Sequence, residues 1–202
     1  PRRSALGALA APAPEHVETF ARPWLGDDLS IHLRAIEQRV SAPWCSSVGR
    51  LFDACAALLG ARERMSFEGQ AAMDLENLAT RAPAEPGYAI PLVRGPDGAL
   101  VGDTRPLFVS LIHDVCSAVA PERVARRLHE ALVDFGVAVA KRAAIPRVVL
   151  SGGCFQNRLL AENLEERLAA AGFTVYAPSA VPANDGGISI GQAWIASAAI
   201  GV

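Results

Sequence analysis

The residues best suited to chemistry in this chain gather around glycines. In VVLSGGCFQN, residues 148–157, an apolar β-branched run breaks at Ser151 into Gly152-Gly153, and a helical pattern follows with Asn157 one turn along. Strand, glycine turn and helix N-terminus make a phosphate-sized opening. Glycine lets the backbone approach an anion with no Cβ in the way, and the first helical N–H groups point at it. The same pattern also serves as a plain tight turn, so the motif alone leaves both readings open. Asn157 could hydrogen-bond a base or a phosphate from that position, or cap its helix. Asp185 precedes a second glycine pair, Gly186-Gly187, at another helix start. A carboxylate there either caps N–H groups or serves as a metal ligand with partners elsewhere.

Two further positions lie in the first half. Asp53 interrupts an otherwise apolar helix pattern, beside Gly49 by helical periodicity and ahead of Gly60. A carboxylate of this kind suits the paired hydroxyls of a ribose, and a solvent-facing aspartate is the plainer alternative. Glu68-Gly69-Gln70 opens the next helix, where Glu68 would favour the positive end of the dipole. His129, among Arg126, Arg127 and Glu130, reads as a surface or interface residue.

The elements that must position these groups follow from periodicity and breakers. Residues 1–12 read as a helix ended by Pro12 and Pro14, and 15–25 as a short helix broken at Pro23. Asp28 is a candidate cap for the next, whose apolar Leu29, Ile31, Leu33, Ile36 and Val40 are loosely periodic. A sharper pattern follows Pro43: Val48, Leu51, Phe52, Cys55, Leu58 and Leu59, capped by Ser46 or Ser47 and stopped by Gly60. Ser66 is the expected cap of a helix with Ala72, Met73, Leu75 and Leu78 on its apolar face. YAIPLV and ALVGD flank Asp97-Gly98 and predict a β-hairpin. Two helices follow, entered through Pro106 and Pro121. The strand VVLSGG, the amphipathic helix NRLLAENLEERLAAAG, the strand FTVYAPS and the apolar helix ISIGQAWIASAAI complete the chain. So few strands make a sheet that is small or extends beyond this chain. If VVLSGG and FTVYAPS are parallel neighbours, both glycine turns open on the same edge, where α/β folds bind ligands.

Composition narrows the class. Of 202 residues, 51% are hydrophobic and 20% charged, with a formal net charge of −2. This is a globular composition without the basic excess of a nucleic-acid surface. No apolar run is long enough to span a bilayer and no export signal opens the chain, so the expectation is a cytoplasmic protein. The four cysteines, Cys45, Cys55, Cys116 and Cys154, form no C-x-x-C pair and read as small core residues. The four histidines are too scattered for a helical metal pair.

Four motifs in order carry a resemblance. SSVGRLFDACAALLG, SFEGQAAMDLE, VVLSGGCFQNRLL and VPANDGGISIGQA, together with the opening PRRSALGAL, are similar to the C-terminal domain of the HypF carbamoyltransferase family of [NiFe]-hydrogenase maturation. The related TsaD family shares the Gly–Asp–Gly–Asn–Asp skeleton, but the EGQ and SGGCFQN wording is nearer to HypF. The resemblance implies an α/β, helix-rich lobe of the actin-like ATPase (ASKHA) type. A helical lead-in over 1–45 would precede a nucleotide-binding lobe over 46–202.

It implies that the domain binds ATP or carbamoyl-adenylate and transfers the carbamoyl group to the C-terminal cysteine thiol of HypE. Asp53 and Gly69, with Glu68 beside them, match positions that hold the nucleotide ribose. Gly152, Gly153 and Asn157 match phosphate and adenosine contacts, and Asp185 matches a carboxylate ligand of a divalent metal, zinc or iron. The family's other metal ligands are histidines of a His-rich motif that this sequence lacks. Acylphosphatase, zinc-finger and YrdC-like parts are absent as well, and would be partners within the same polypeptide. The chain is therefore expected to be a C-terminal fragment, unable to complete transfer alone, with no membrane or nucleic-acid partner. A TsaD-like tRNA threonylcarbamoyl-adenosine transferase and a non-catalytic helical partner-binding module are the alternatives.

Overall fold

A computed structural model describes residues 1–200 as a helix-rich chain in two compact units, residues 1–132 and the described residues from 133 onward. The first unit begins with α1 (Arg2–Ala10), α2 (Val17–Leu25) and α3 (Leu29–Glu37). Helix α1 buries Ala5, Leu6 and Leu9 against α4 (Val48–Leu58), which also packs on α5 (Gln70–Ala79). Every residue of α4 from Phe52 to Leu58 is buried, which places this helix at the centre of the unit's core. Its start follows from Ser47, whose Oγ accepts the Arg50 N–H at 3.3 Å, and its stop from Gly60 at φ +70°.

The hairpin of β1 (Leu92–Arg94) and β2 (Leu100–Gly102) is antiparallel, with Val93 opposite Val101. Gly98 takes φ +80° in its turn, and Asp97 Oδ1 accepts the Ala99 N–H at 3.0 Å. Helix α6 (Arg105–Cys116) buries Leu107, Phe108, Leu111 and Ile112. Helix α7 (Pro121–Ala143) has its first twelve residues, 121–132, in this unit and there buries Val124, Ala125, Leu128 and Ala131.

In the second unit, the end of α7 is followed by β3 (Arg147–Val149), α8 (Arg158–Ala170), β4 (Thr174–Tyr176) and α9 (Ile188–Ile200). Strands β3 and β4 pair in parallel, Val148 opposite Val175, with α8 as the crossover that parallel pairing demands. Leu160, Leu164 and Leu168 form the buried stripe of α8, and a Cβ at Gly136 of α7 would stand 2.8 Å from a Leu164 methyl. Each sheet has two strands among the described residues. Helix α9 is apolar, and none of its described residues is buried.

Several expectations are corrected. Pro23 does not break α2, which runs on to Leu25 and ends at Gly26, φ +54°. Proline forfeits one backbone bond there, and only two helical residues follow it. Helix α3 buries Leu29 alone, and Ile31 and Val40 are exposed. Ser66 is not the cap of α5: that helix starts after Gly69, and Gln70 reaches back to accept the Ser66 N–H at 2.8 Å. Ala71, Leu75 and Ala79 form its buried stripe, which turns Met73 to solvent. Of the cysteines only Cys55 is in the core; Cys45 and Cys116 are exposed and Cys154 is half-buried.

Candidate functional site

The first unit supplies a carboxylate. Asp53 sits in α4 between buried Phe52 and Ala54 and is itself 6% exposed, so the solvent-facing alternative does not hold. Its Oδ2 accepts a hydrogen bond from Arg50 Nη1 at 2.9 Å. Charge pairing is what lets an ionised group remain among apolar neighbours. Gly69 caps α5 in the left-handed region, φ +79°, and a Cβ there would meet nothing within 4 Å. The glycine is demanded by its backbone angle and not by crowding. Glu68 before it is exposed.

The same unit holds charged and polar groups that sequence reasoning missed. His129 is not a surface residue: it is fully buried, with Nδ1 2.8 Å from the Ala125 carbonyl oxygen and its ring against Phe52. Desolvation pushes its pKa below the usual imidazole value, although the Ala125 carbonyl and Glu76 pull the other way. Around the segment before β1, Glu85 accepts a bidentate pair from Arg123 at 2.7 and 2.8 Å and a third bond from Arg127. Asp114 accepts from Tyr88 Oη at 2.7 Å and from Arg127 Nη1 at 2.6 Å. Arg123, then Arg127, hold the Glu85 carboxyl down at about 2 despite partial desolvation. Burial pushes the Tyr88 hydroxyl up, reinforced by Asp114, and burial alone pushes up the Cys55 thiol, leaving it unreactive. The arginines at 123 and 127 share a helix face, but nothing local to Glu85 or Asp114 names them as partners.

The second unit supplies the glycine turn. Beyond β3 the chain passes through Gly152 at φ +104°, a conformation side chains rarely adopt, and a 3-10 turn over Gly153–Gln156 precedes α8. The Gly152 N–H donates to the Ala183 carbonyl at 2.8 Å, which ties the end of β3 to the loop after β4. Both glycine turns therefore do lie at the carboxyl ends of the parallel pair. They differ in cause. A Cβ at Gly187 would stand 2.9 Å from the Pro182 carbonyl oxygen, so packing requires that glycine. At Gly152 and Gly153 a Cβ would meet nothing within 4 Å, and at Gly153 no unusual φ demands glycine either. A hollow of about 360 Å³ lies alongside, lined by Ser151, Val181, Asn184, Gly187 and Ile188 among others.

Asn157 is the N-cap of α8 and not a residue one turn inside it; its Oδ1 accepts the Leu160 N–H at 2.9 Å and the residue is buried. Asn184, not Asp185, caps the turn at the second glycine pair, its Oδ1 accepting the Gly186 N–H at 3.1 Å. Asp185 is an exposed carboxylate. Among the described residues no three His, Cys, Asp or Glu side chains come together as a metal set. One exposed carboxylate does not hold a zinc or iron ion, which takes three or four protein ligands, so these residues by themselves do not fit the implied metal.

Comparison with known proteins identifies the fold. A full-length HypF crystallised in a phosphate- and nucleotide-bound form superposes with a TM-score of 0.87 at 37% identity, over 98% of this chain and 26% of that one. The HypF of T. kodakarensis gives a TM-score of 0.71 at 26% identity, over 94% of this chain and 24% of its own. The fold is thus a helix-rich α/β one of the Kae1-like, actin-like ATPase class, as the motifs imply.

Residues 1–192 match the family model described as carbamoyltransferase, Kae1-like domain, second subdomain. Carbamoyltransferase HypF of Rhodobacter capsulatus is 40% identical over 98% of this chain, and carbamoyltransferase HypF2 of Cupriavidus necator 38% identical over 81%. The chain belongs to the HypF carbamoyltransferase family, in the second subdomain of its Kae1-like domain. It spans about a quarter of the length of these relatives, 25% and 23%. No helix among the described residues is long and apolar enough to cross a membrane.

Proposed function

We propose that this chain is the nucleotide-handling part of a carbamoyltransferase that binds ATP or carbamoyl-adenylate and passes the carbamoyl group of the adenylate to the C-terminal cysteine thiol of HypE. The observation that carries the reading is the likeness, over 98% of the chain, to a HypF whose crystal structure holds phosphate and nucleotide. The local chemistry supports it. Asp53 is a buried carboxylate that suits the two O–H donors of a ribose, and Gly69, with Glu68 beside it, stands at the other position the family likeness assigns to the ribose. Gly152 and Gly153 leave backbone open to a phosphate, and Asn157 starts the helix whose N-terminal dipole favours that anion. In this reading residues 46–202 are the nucleotide-binding lobe and 1–45 its helical lead-in.

Transfer forms a C–S bond between the thiolate and the carbamoyl carbon and breaks the C–O bond to the phosphate, with AMP leaving on the electron pair. The residues of this chain bind and orient the adenylate for that step. Asp185 would be one ligand of a metal set completed by histidines elsewhere in the longer polypeptide, and the binding and orienting assigned to this chain do not run through the ion.

Calorimetric titration of the full-length polypeptide with ATP tests the binding half, with Asp53→Asn expected to weaken it. Mass spectrometry of HypE after incubation with synthetic carbamoyl-adenylate tests the transfer half. No heat on titration, with the protein folded, rejects the nucleotide role. Heat without a carbamoyl increment on HypE rejects the acceptor.

A further inference from the structure

Arg50 stands where a helix disfavours a cation. It is the third residue of α4, and the first turn presents unpaired N–H groups and the positive end of the dipole, which favour carboxylates. Ser47 holds its backbone through the Oγ cap. The guanidinium side chain is 60% exposed, yet Nη1 turns back onto Oδ2 of Asp53, whose side chain is 9% exposed. An unfavourable local placement is retained where another need outweighs it, and here the need is a partner for a carboxylate set in the buried stretch of α4. A carboxylate is planar, so holding Oδ2 also fixes the direction of Oδ1. Among the described residues no other side chain pairs with that carboxylate.

Resting on the reading of Asp53 as the ribose ligand, we propose that Arg50 is a positioning residue of the nucleotide site, aiming the Asp53 carboxylate at the ribose hydroxyls. It thereby sets the preference for ribonucleotides over 2′-deoxyribonucleotides. A diol offers two donors in fixed relation, and only a carboxylate locked in plane meets both. Free to rotate, Asp53 would accept one hydroxyl as well as two, and the 2′ group would no longer be counted.

The test is the ratio of affinities for ATP and 2′-deoxy-ATP, measured by calorimetry on the full-length polypeptide. The wild type is expected to prefer ATP by about tenfold, the worth of one hydrogen bond to a charged acceptor. Arg50→Gln and Arg50→Ala are expected to lose about tenfold in ATP affinity, change 2′-deoxy-ATP little and bring the ratio near one. Arg50→Lys, which keeps a cation within reach, should retain part of the preference. In an Asp53→Asn background Arg50→Gln should have no further effect, because Arg50 acts through Asp53.

Equal weakening of both nucleotides by Arg50→Gln would overturn the proposal, as would an unchanged ratio or a loss added on top of Asp53→Asn. If Asp53→Asn itself keeps the wild-type ratio, the ribose assignment fails and Arg50's role with it. If Asp53→Asn collapses the ratio and the Arg50 variants do not, only the role of Arg50 fails.

Discussion

The imidazole of His129 packs on the ring of Phe52, centroids 5.2 Å apart and planes at 55°, immediately beside Asp53 in the chain. Nδ1 carries the proton it donates to the Ala125 carbonyl, which defines the tautomer of the neutral ring. Because burial lowers the folded-state pKa, the unfolded chain takes up the second ring proton first as pH falls. Stability from His129 is present above about pH 6.5, the unfolded value, and declines as pH drops from there toward the folded value. Melting temperatures from pH 8 to pH 5 should fall, and His129→Gln should flatten that fall in the same window. An identical slope in the variant would remove His129 from the account.

Glycines in this chain split by cause, and alanine substitution separates them. A Cβ on residue 87 would stand 2.3 Å from the Ala131 backbone nitrogen, so Gly87→Ala must move the chain off α7 and should cost about 1–3 kcal/mol in urea unfolding. Gly153→Ala meets open space and should unfold like the wild type while weakening ATP binding by the full-length polypeptide. Wild-type ATP affinity in Gly153→Ala would mean that nothing approaches that backbone.

The cap at Asn157 allows structure and ligand binding to be told apart. Asn157→Ala should lose about 1 kcal/mol of stability with the bond to Leu160 N–H. Asn157→Asp keeps a capping oxygen and should restore stability, but its charge opposes a phosphate and should leave ATP binding weak. Full recovery of both by Asn157→Asp would reduce this residue to a cap.

Glu85 predicts an acid limb of a different origin from that of His129. Its carboxyl is held at about 2 by Arg123 and Arg127, so its contribution is complete above the ordinary carboxylate range. That contribution is lost as pH falls from about 4.5 toward about 2. Glu85→Gln should shift acid unfolding to show less pH dependence across that window. Arg127→Ala, which strips a donor from both Glu85 and Asp114, should cost about 3 kcal/mol at neutral pH.

Much of the framework was legible because its causes are local. Ser47 and Gly60 bound α4, Asp97-Gly98 turns the hairpin, and the run ending at Gly152-Gly153 becomes a strand and a glycine turn. Caps, left-handed angles and apolar periods act within a few residues, so their chemistry is written at the position itself. The four ordered motifs also led to the family, since residue types at set spacings are read from the chain directly, whatever the packing. The tertiary structure decided the rest. It buried His129 and exposed Met73, because which stripe of a helix faces inward depends on the neighbour that arrives. It joined Glu85 to Arg123 and Tyr88 to Asp114 across segments that share no pattern. It explained Gly87 by the backbone of Ala131, a contact between residues far apart in sequence. And it turned Asp53 from an aspartate in an apolar helix into a buried carboxylate held by Arg50, because only packing determines that α4 is enclosed on every side from Phe52 to Leu58.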